Sequence, residues 1–252
     1  MHAWRTYGPV GYGRPMDSPR QEVSAFAHEV GEQVEQVVEA VKPHLRGWMH
    51  LVMAPLVVVG GSILIGTAAT GTGQVAALVF TLTAALLFST SALYHRGHWS
   101  RRVDAILRRW DHANIFLIIA GSYTPFALLL PRREAITLLA IVWSGAIAGV
   151  LFRVLWLSAP RWLYVPIYLA LGWVAVFYIQ PLVVHGGWTI VAFIIAGGVF
   201  YTAGAVVYGT KRPNPSPRWF GFHEIFHACT ILAFASHFVA AAIALSGPVS
   251  LA

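Results

Sequence analysis

Long apolar runs separated by short polar segments dominate the chain from residue 48 onward. A helix needs about 20 apolar residues to cross about 30 Å of hydrocarbon, and seven runs approach that length. They lie at about Trp48–Thr70, Gln74–Tyr94, His112–Leu130, Glu134–Leu155, Trp162–Val183, Trp188–Gly209 and Phe222–Leu245. This pattern predicts an all-α membrane protein, a bundle of seven transmembrane helices within residues 45–252.

The N-terminal segment follows a different pattern. Residues 1–20 are rich in Pro, Gly and Arg and lack the apolar stretch of a signal peptide, so we expect them to be disordered. In residues 21–44, valines and Phe26 recur at steps of three and four with glutamates between them, which predicts an amphipathic helix on the cytoplasmic side. Its polar face is acidic, which favours docking on basic cytoplasmic loops over binding to anionic lipid.

Loop charges predict the orientation. With the N-terminus inside, the inner segments 1–47, 95–111, 153–161 and 210–222 hold 15 of the 17 Lys and Arg residues. Only Arg132 and Arg133 fall outside. Because cytoplasmic loops carry the positive excess, we expect an N-in, C-out protein of the plasma membrane, with an odd number of spans.

Composition narrows the function classes. The chain is 57% hydrophobic and 11% charged, with a net charge of +7. A basic balance can indicate nucleic acid, but here the cations flank apolar runs, so we expect a membrane surface and no nucleic-acid partner. Gly145 and Gly149 in the fourth span suggest close helix packing within one bundle, with dimerisation as the alternative. The oligomeric state stays open.

Ionisable residues near the ends of three predicted spans are candidates for function, because charge at membrane depth is costly. His95 ends the second span, Asp111 begins the third, and His223 and His227 begin the seventh. In the N-in orientation all three ends lie at the cytoplasmic face. The four side chains are therefore predicted to share one depth.

Helical spacing refines this set. His223 and His227 are four residues apart and lie on one face, as do Ser91 and His95. His237 lies about 15 Å deeper than His227, at 1.5 Å per residue. His237 is therefore too far to share a metal ion with His227. Other interfacial histidines, such as His112 and His185, are expected to be packed residues.

Three neutral imidazoles suit Zn²⁺, which we predict as the cofactor. Three protein ligands leave a fourth tetrahedral position for water, as in catalytic rather than structural sites. The zinc would activate that water or polarise a carbonyl. Asp111 would hold the water or act as the base.

Glu224 has two interpretations. The run His223-Glu224-x-x-His227 matches a metalloprotease pattern in which the glutamate is the general base. The alternative, which we weight more, is a polar residue at a helix start that the helix dipole favours.

These motifs, taken together, closely resemble the bacterial hemolysin III family. That family belongs with the progestin and adipoQ receptors and is more distantly related to the alkaline ceramidases. The motifs read Ser91-x-x-x-His95, Trp110-Asp111-His112-Ala-Asn-Ile, Ala120-Gly-Ser-Tyr-Thr-Pro125 and His223-Glu-Ile-Phe-His227 with His237.

The resemblance implies seven transmembrane helices with the N-terminus inside. It implies zinc bound by His95, His223 and His227, with Asp111 contacting the zinc through water and Ser91 lining the site. His237 matches a histidine that is not a direct ligand. Some of the receptors carry Gln where Glu224 stands, which argues against an obligatory base at that position.

Three functions remain open from the sequence. The first is a zinc-dependent hydrolase of lipid amide or ester bonds, with a membrane lipid as substrate or ligand. The second is a non-enzymatic membrane sensor or homeostasis factor in which zinc is structural. The third is a pore-former, which ranks last because the fifth and sixth spans show little of the polar stripe that a monomeric pore needs.

Overall fold

The computed structural model describes Val30, Pro43 and residues 45–247, and helices dominate the described part of the chain. They are α1 (Trp48–Thr67), α2 (Gly71–Arg96), α3 (Arg101–Ala127), α4 (Arg132–Leu155), α5 (Arg161–Gly172), a 3-10 helix (Trp173–Tyr178), α6 (Ile179–Thr210) and α7 (Phe222–Ser246). Within residues 45–247 the only β-pairing is an isolated bridge between Ser216 and Phe220. The amphipathic helix predicted for residues 21–44 lies almost wholly outside the described residues.

Five helical stretches are long and apolar enough to cross a membrane: α1, α2, α4, α7 and the continuous stretch Arg161–Thr210. α3 is not among them, and it begins eleven residues before the predicted third span. Its first turns carry charged side chains, among them Arg108 and Arg109. The predicted third span is therefore the apolar part of a longer helix.

The stretch Arg161–Thr210 folds back on itself. Tyr164 near its start lies with its hydroxyl 3.1 Å from that of Tyr208 near its end. Further in, Trp173 Nε1 donates to Thr202 Oγ1 at 3.0 Å. The chain reverses at Gly187, whose φ of 81° interrupts α6 and is a backbone conformation that glycine adopts readily. The reversal falls between the predicted fifth and sixth spans.

Large apolar side chains cover the outside of the helices as well as their inside. On α1, Val59 and Ile63 are each 60% exposed, and on α4 Leu151 is 54% exposed. A water-soluble helix would place polar residues on that face. The outward apolar faces therefore fit a lipid environment, in which the backbone hydrogen bonds are satisfied within each helix.

Glycines let the helices approach closely. A Cβ added to Gly149 of α4 would lie 2.3 Å from the ring of Phe116 of α3, and one added to Gly145 would lie 2.7 Å from Leu171. Both glycines thus pack against other helices of the same chain, in agreement with the predicted packing inside one bundle. They hold α4 against α3 and α5.

Candidate metal centre

Two helix ends bring three histidines together. His95 lies in the last turn of α2, and His223 and His227 lie in the first two turns of α7. A spacing of four residues puts His223 and His227 on one face of α7. That face meets the end of α2, so the three predicted ligands form one cluster.

The geometry of this cluster suits a metal ion. One ligand nitrogen from each imidazole lies within 4.8 Å of the others, and His223 Nε2 lies 3.2 Å from His95 Nε2. Two nitrogens that bind one tetrahedral zinc ion at about 2.0–2.1 Å are about 3.3 Å apart. His95 and His227 are buried and His223 is half-buried. The donor set and its spacing therefore fit a cation held by three imidazoles.

Asp111 lies beside this cluster on α3. Its Oδ2 is 3.8 Å from His95 Nε2. Ser91, one turn before His95 on α2, lies beside the Asp111 side chain, so its hydroxyl is placed to orient the carboxylate. Both residues are buried and line the same cavity as His223 and His227. The structure thus joins all five residues predicted for the catalytic and metal site.

Glu224 is not a member of the group of possible metal ligands, and its two oxygens have other partners. Its Oε1 accepts a hydrogen bond from Arg46 Nε at 2.9 Å, and its Oε2 accepts one from the Gly221 backbone N–H at 2.8 Å. The second contact caps the start of α7. Because both oxygens are engaged in these contacts, the geometry favours the helix-start interpretation of Glu224 over the general base.

Arg46 lies in the turn that immediately precedes α1, and this turn packs next to the histidine cluster. Gly47 in this turn has φ 80°, and a Cβ there would lie 2.9 Å from the Cβ of His95. Glycine is therefore required both by the backbone conformation and by the close approach. The turn connects α1 to the predicted ligands of α2 and α7.

His50 is a buried histidine of the site that the sequence interpretation overlooked. It lies on α1, is 2% exposed, and stacks on His227 with ring centroids 3.8 Å apart and planes 11° apart. A signal was present, since His50 is the one ionisable residue inside the first predicted span. The first span also starts at the same predicted depth as the other histidines.

Two adjoining cavities surround these residues. The small cavity, about 50 Å³, is lined by apolar and tyrosine side chains and by the polar residues His50, Ser91, Asp111, His112, His223, His227 and Thr230. The large cavity, about 120 Å³, lies between α3, α5, α6 and α7 and is almost wholly apolar. Residues that line both are Ile115, Ile118, Tyr168, Tyr201, Tyr208 and Phe226.

His237 lies in the wall of the large cavity rather than in the histidine cluster. Its Nε2 is 3.2 Å from the Ile194 carbonyl oxygen, and its ring packs edge-on against Phe126 and Tyr201. These contacts describe a packed histidine on the wall of an apolar cavity.

Comparison with known proteins identifies the family. The model of the family described as Haemolysin-III related matches residues 38–238. The chain belongs to the haemolysin III family. Through it, the chain belongs to the progestin and adipoQ receptor superfamily. The matched range contains all three histidines of the cluster, Asp111 and His50.

Two bacterial relatives support the haemolysin III assignment. The "Hemolysin-3 homolog" of Bacillus subtilis (strain 168) is 33% identical over 147 residues, which are 57% of this chain and 68% of the relative. "Hemolysin-3" of Bacillus cereus is 33% identical over 140 residues, 55% of this chain and 64% of the relative. The chain thus spans about two thirds of the length of each.

Proposed function

We propose that this protein is a zinc-dependent hydrolase that cleaves amide or ester bonds of membrane lipids. The observation that carries the proposal is the pair of adjoining cavities. The small cavity is lined by Asp111 and by two of the proposed ligands, His223 and His227, and His95 lies 3.8 Å from Asp111. The large cavity next to it is apolar and lies among the helices. One cavity suits a polar reacting group, and the other suits an acyl chain.

His95, His223 and His227 would hold the metal. When bound, zinc supplies Lewis-acid polarisation of a carbonyl and activation of water. The three proposed ligands include no carboxylate. Asp111, whose Oδ2 lies 3.8 Å from His95 Nε2, is therefore available for a role other than metal binding.

The reaction assigns proton transfer to Asp111. A water oxygen forms a bond to the carbonyl carbon, and the Asp111 carboxylate accepts the proton that this water loses. The carbon–nitrogen or carbon–oxygen bond then breaks, and Asp111 returns the proton to the leaving amine or alcohol. The Ser91 hydroxyl keeps the carboxylate oriented during both transfers.

Aromatic side chains between the two cavities limit the access of bulk water to the large cavity. Tyr168, Tyr208 and Phe226 line both cavities, and Tyr208 is held by its hydrogen bond to Tyr164. These side chains separate an acyl chain in the large cavity from bulk water while leaving its polar end beside Asp111.

The membrane arrangement belongs to the same proposal. We infer seven spans, with the N-terminus cytoplasmic and the C-terminus outside, in the plasma membrane. The reversal at Gly187 supports counting Arg161–Thr210 as two spans, and the apolar part of α3 adds one more to the remaining four. The bias of Lys and Arg supports the orientation.

Cysteine labelling tests the arrangement. The single native Cys229 is first replaced by serine. Ser100→Cys, before α3, and Arg133→Cys, at the start of α4, then report opposite sides. A membrane-impermeant maleimide applied to intact cells should label Arg133→Cys only. Labelling of Ser100→Cys alone would reverse the orientation.

Lipid turnover tests the activity. The purified protein is incubated with a library of acyl amides and esters, and fatty-acid release is measured beside Asp111→Asn and His227→Ala. We expect release from the wild type and its loss in both variants. Equal release from all three proteins would contradict the hydrolase, and bound zinc without any release would favour the sensor in which zinc is structural.

A further inference from the structure

His50 has no evident role in the chemistry described so far, yet it lies against a proposed metal ligand. Its ring stacks on His227 at 3.8 Å and packs edge-on against Phe88 at a centroid distance of 4.9 Å. Neither nitrogen of the His50 ring makes a hydrogen bond of good geometry among the described residues, although one of them lies near the His227 backbone. A histidine held this way contributes the faces and edges of its ring rather than its nitrogens.

His227 lacks the usual support of a metal-binding histidine. Such a residue almost always donates its second ring N–H to a carboxylate, a carbonyl or water, and this bond fixes the ring orientation. His227 Nδ1 is buried and has no hydrogen-bond partner in the described part of the chain. The orientation of this imidazole must then come from packing, and the closest ring against it is His50.

His50 is poorly placed to be a ligand itself. The lone pair of an imidazole nitrogen lies in the plane of the ring. The rings of His50 and His227 stack with their planes 11° apart, so their in-plane lone pairs lie in nearly parallel planes. The two lone pairs therefore cannot both point at one metal ion. His50 is also absent from the group whose ligand atoms lie within 4.8 Å of one another.

We propose that His50 is a positioning residue whose ring, packed on His227, holds that imidazole in the orientation required to bind the metal. The inference rests on the proposed zinc binding and adds α1 to the helices that build the site. Flat aromatic contact is the required property, and the nitrogens of His50 are dispensable.

The test compares three variants of the full-length protein purified in detergent. His50→Phe keeps a flat ring without nitrogens, His50→Gln keeps hydrogen-bonding capacity without a ring, and His50→Leu keeps neither. Phe80→Leu is the matched control, because it removes another stacked ring, 5.3 Å from Phe234, that does not touch the cluster. Zinc affinity is measured by competition with a chelator, and the folded state by thermal unfolding.

We expect His50→Phe and Phe80→Leu to bind zinc as tightly as the wild type. His50→Leu and His50→Gln should bind about tenfold more weakly, the lower range for loss of a group that orients a ligand. The visible absorption of the cobalt-substituted protein should change in these two variants only, since a merely structural role would lower stability without altering the ligand geometry.

Two results would overturn the inference while leaving zinc binding intact. One is wild-type affinity in both His50→Leu and His50→Gln. The other is weak binding by His50→Phe with recovery in His50→Gln, which would show that the nitrogens matter. A wild-type protein that binds no zinc would instead overturn the proposed function and this inference together.

Discussion

The two cavities differ in how they are built, although they share a wall. The small cavity receives polar side chains from the starts of α1 and α7, from the last turns of α2 and from the third turn of α3. The large cavity is bounded by the C-terminal half of α3 and by α5, α6 and α7, and His237 is its most polar lining side chain. Ligand chemistry is thus concentrated at helix ends, and apolar volume lies along helix flanks.

This difference separates metal binding, which we assign to the helix ends, from accommodation of the acyl chain, which we assign to the large cavity. Side chains at the helix ends can be held by one another, as His50 holds His227 and Ser91 holds Asp111. The flank of the large cavity includes the 3-10 helix, which contributes Trp173, Ala175 and Val176 to its lining. Substitutions should therefore affect metal binding at one site and lipid accommodation at the other.

The largest expected effect is loss of a ligand. His227→Ala or His223→Ala should weaken zinc binding more than about 100-fold, because two imidazoles cannot replace three in a tetrahedral site. Metal content of the purified protein measures this. His185→Ala, on an exposed histidine of α6, is the control and should retain zinc. Full zinc content in His227→Ala would remove this histidine from the site.

The next effect concerns the turn over the cluster. Arg46→Ala leaves the Glu224 carboxylate buried with no cation, which costs about 3 kcal/mol in the free energy of unfolding. Denaturant or thermal unfolding in detergent measures the loss. The double variant Arg46→Met, Glu224→Met should be more stable than Arg46→Ala, since it leaves no unpaired charge. A single variant as stable as the wild type would show that the ion pair is dispensable.

Helix packing gives a smaller effect outside both cavities. Gly149→Ala forces a methyl group against Phe116 and should cost about 1–3 kcal/mol, as overpacked cores do. Gly66→Ala on α1 is the matched control because its Cβ would meet open space, so its stability should be equal or slightly higher. Equal stability of the two variants would show that α3 and α4 adapt without strain.

The smallest effect should distinguish the cavities directly. Ile118→Trp adds volume where the two cavities share a wall and should slow lipid hydrolysis about tenfold while zinc content stays unchanged. Ile147→Trp, on an outward face of α4, is the control and should not change the rate. A loss of zinc in Ile118→Trp would mean that the two cavities are not independent.

The residues that could be predicted from sequence are those whose spacing or loop position carries information. His223 and His227 were identified by their four-residue step, and His95 and Asp111 by the charges that place the span ends on one side. His50 has no second histidine at helical spacing to form a pattern with it, and its stacking on His227 joins residues 177 positions apart. A contact between residues so far apart in the chain produces no repeating pattern in the sequence from which it could be predicted.

Other features follow from tertiary contacts that no local pattern records. Arg46 appears in sequence as one more basic residue of a loop, and only the folded chain pairs it with Glu224. Arg153 was counted as a loop cation, yet it is 1% exposed and lies 4.3 Å from the centre of the Tyr164 ring. Loop charge predicts the side of the membrane but not which cations turn inward.

The contact between His95 and His223 spans 128 residues of chain. During synthesis, α2 is complete long before α7 emerges, so no shorter product can assemble three imidazoles. Metal capture by the proposed site would then report that α7 has been inserted beside α2.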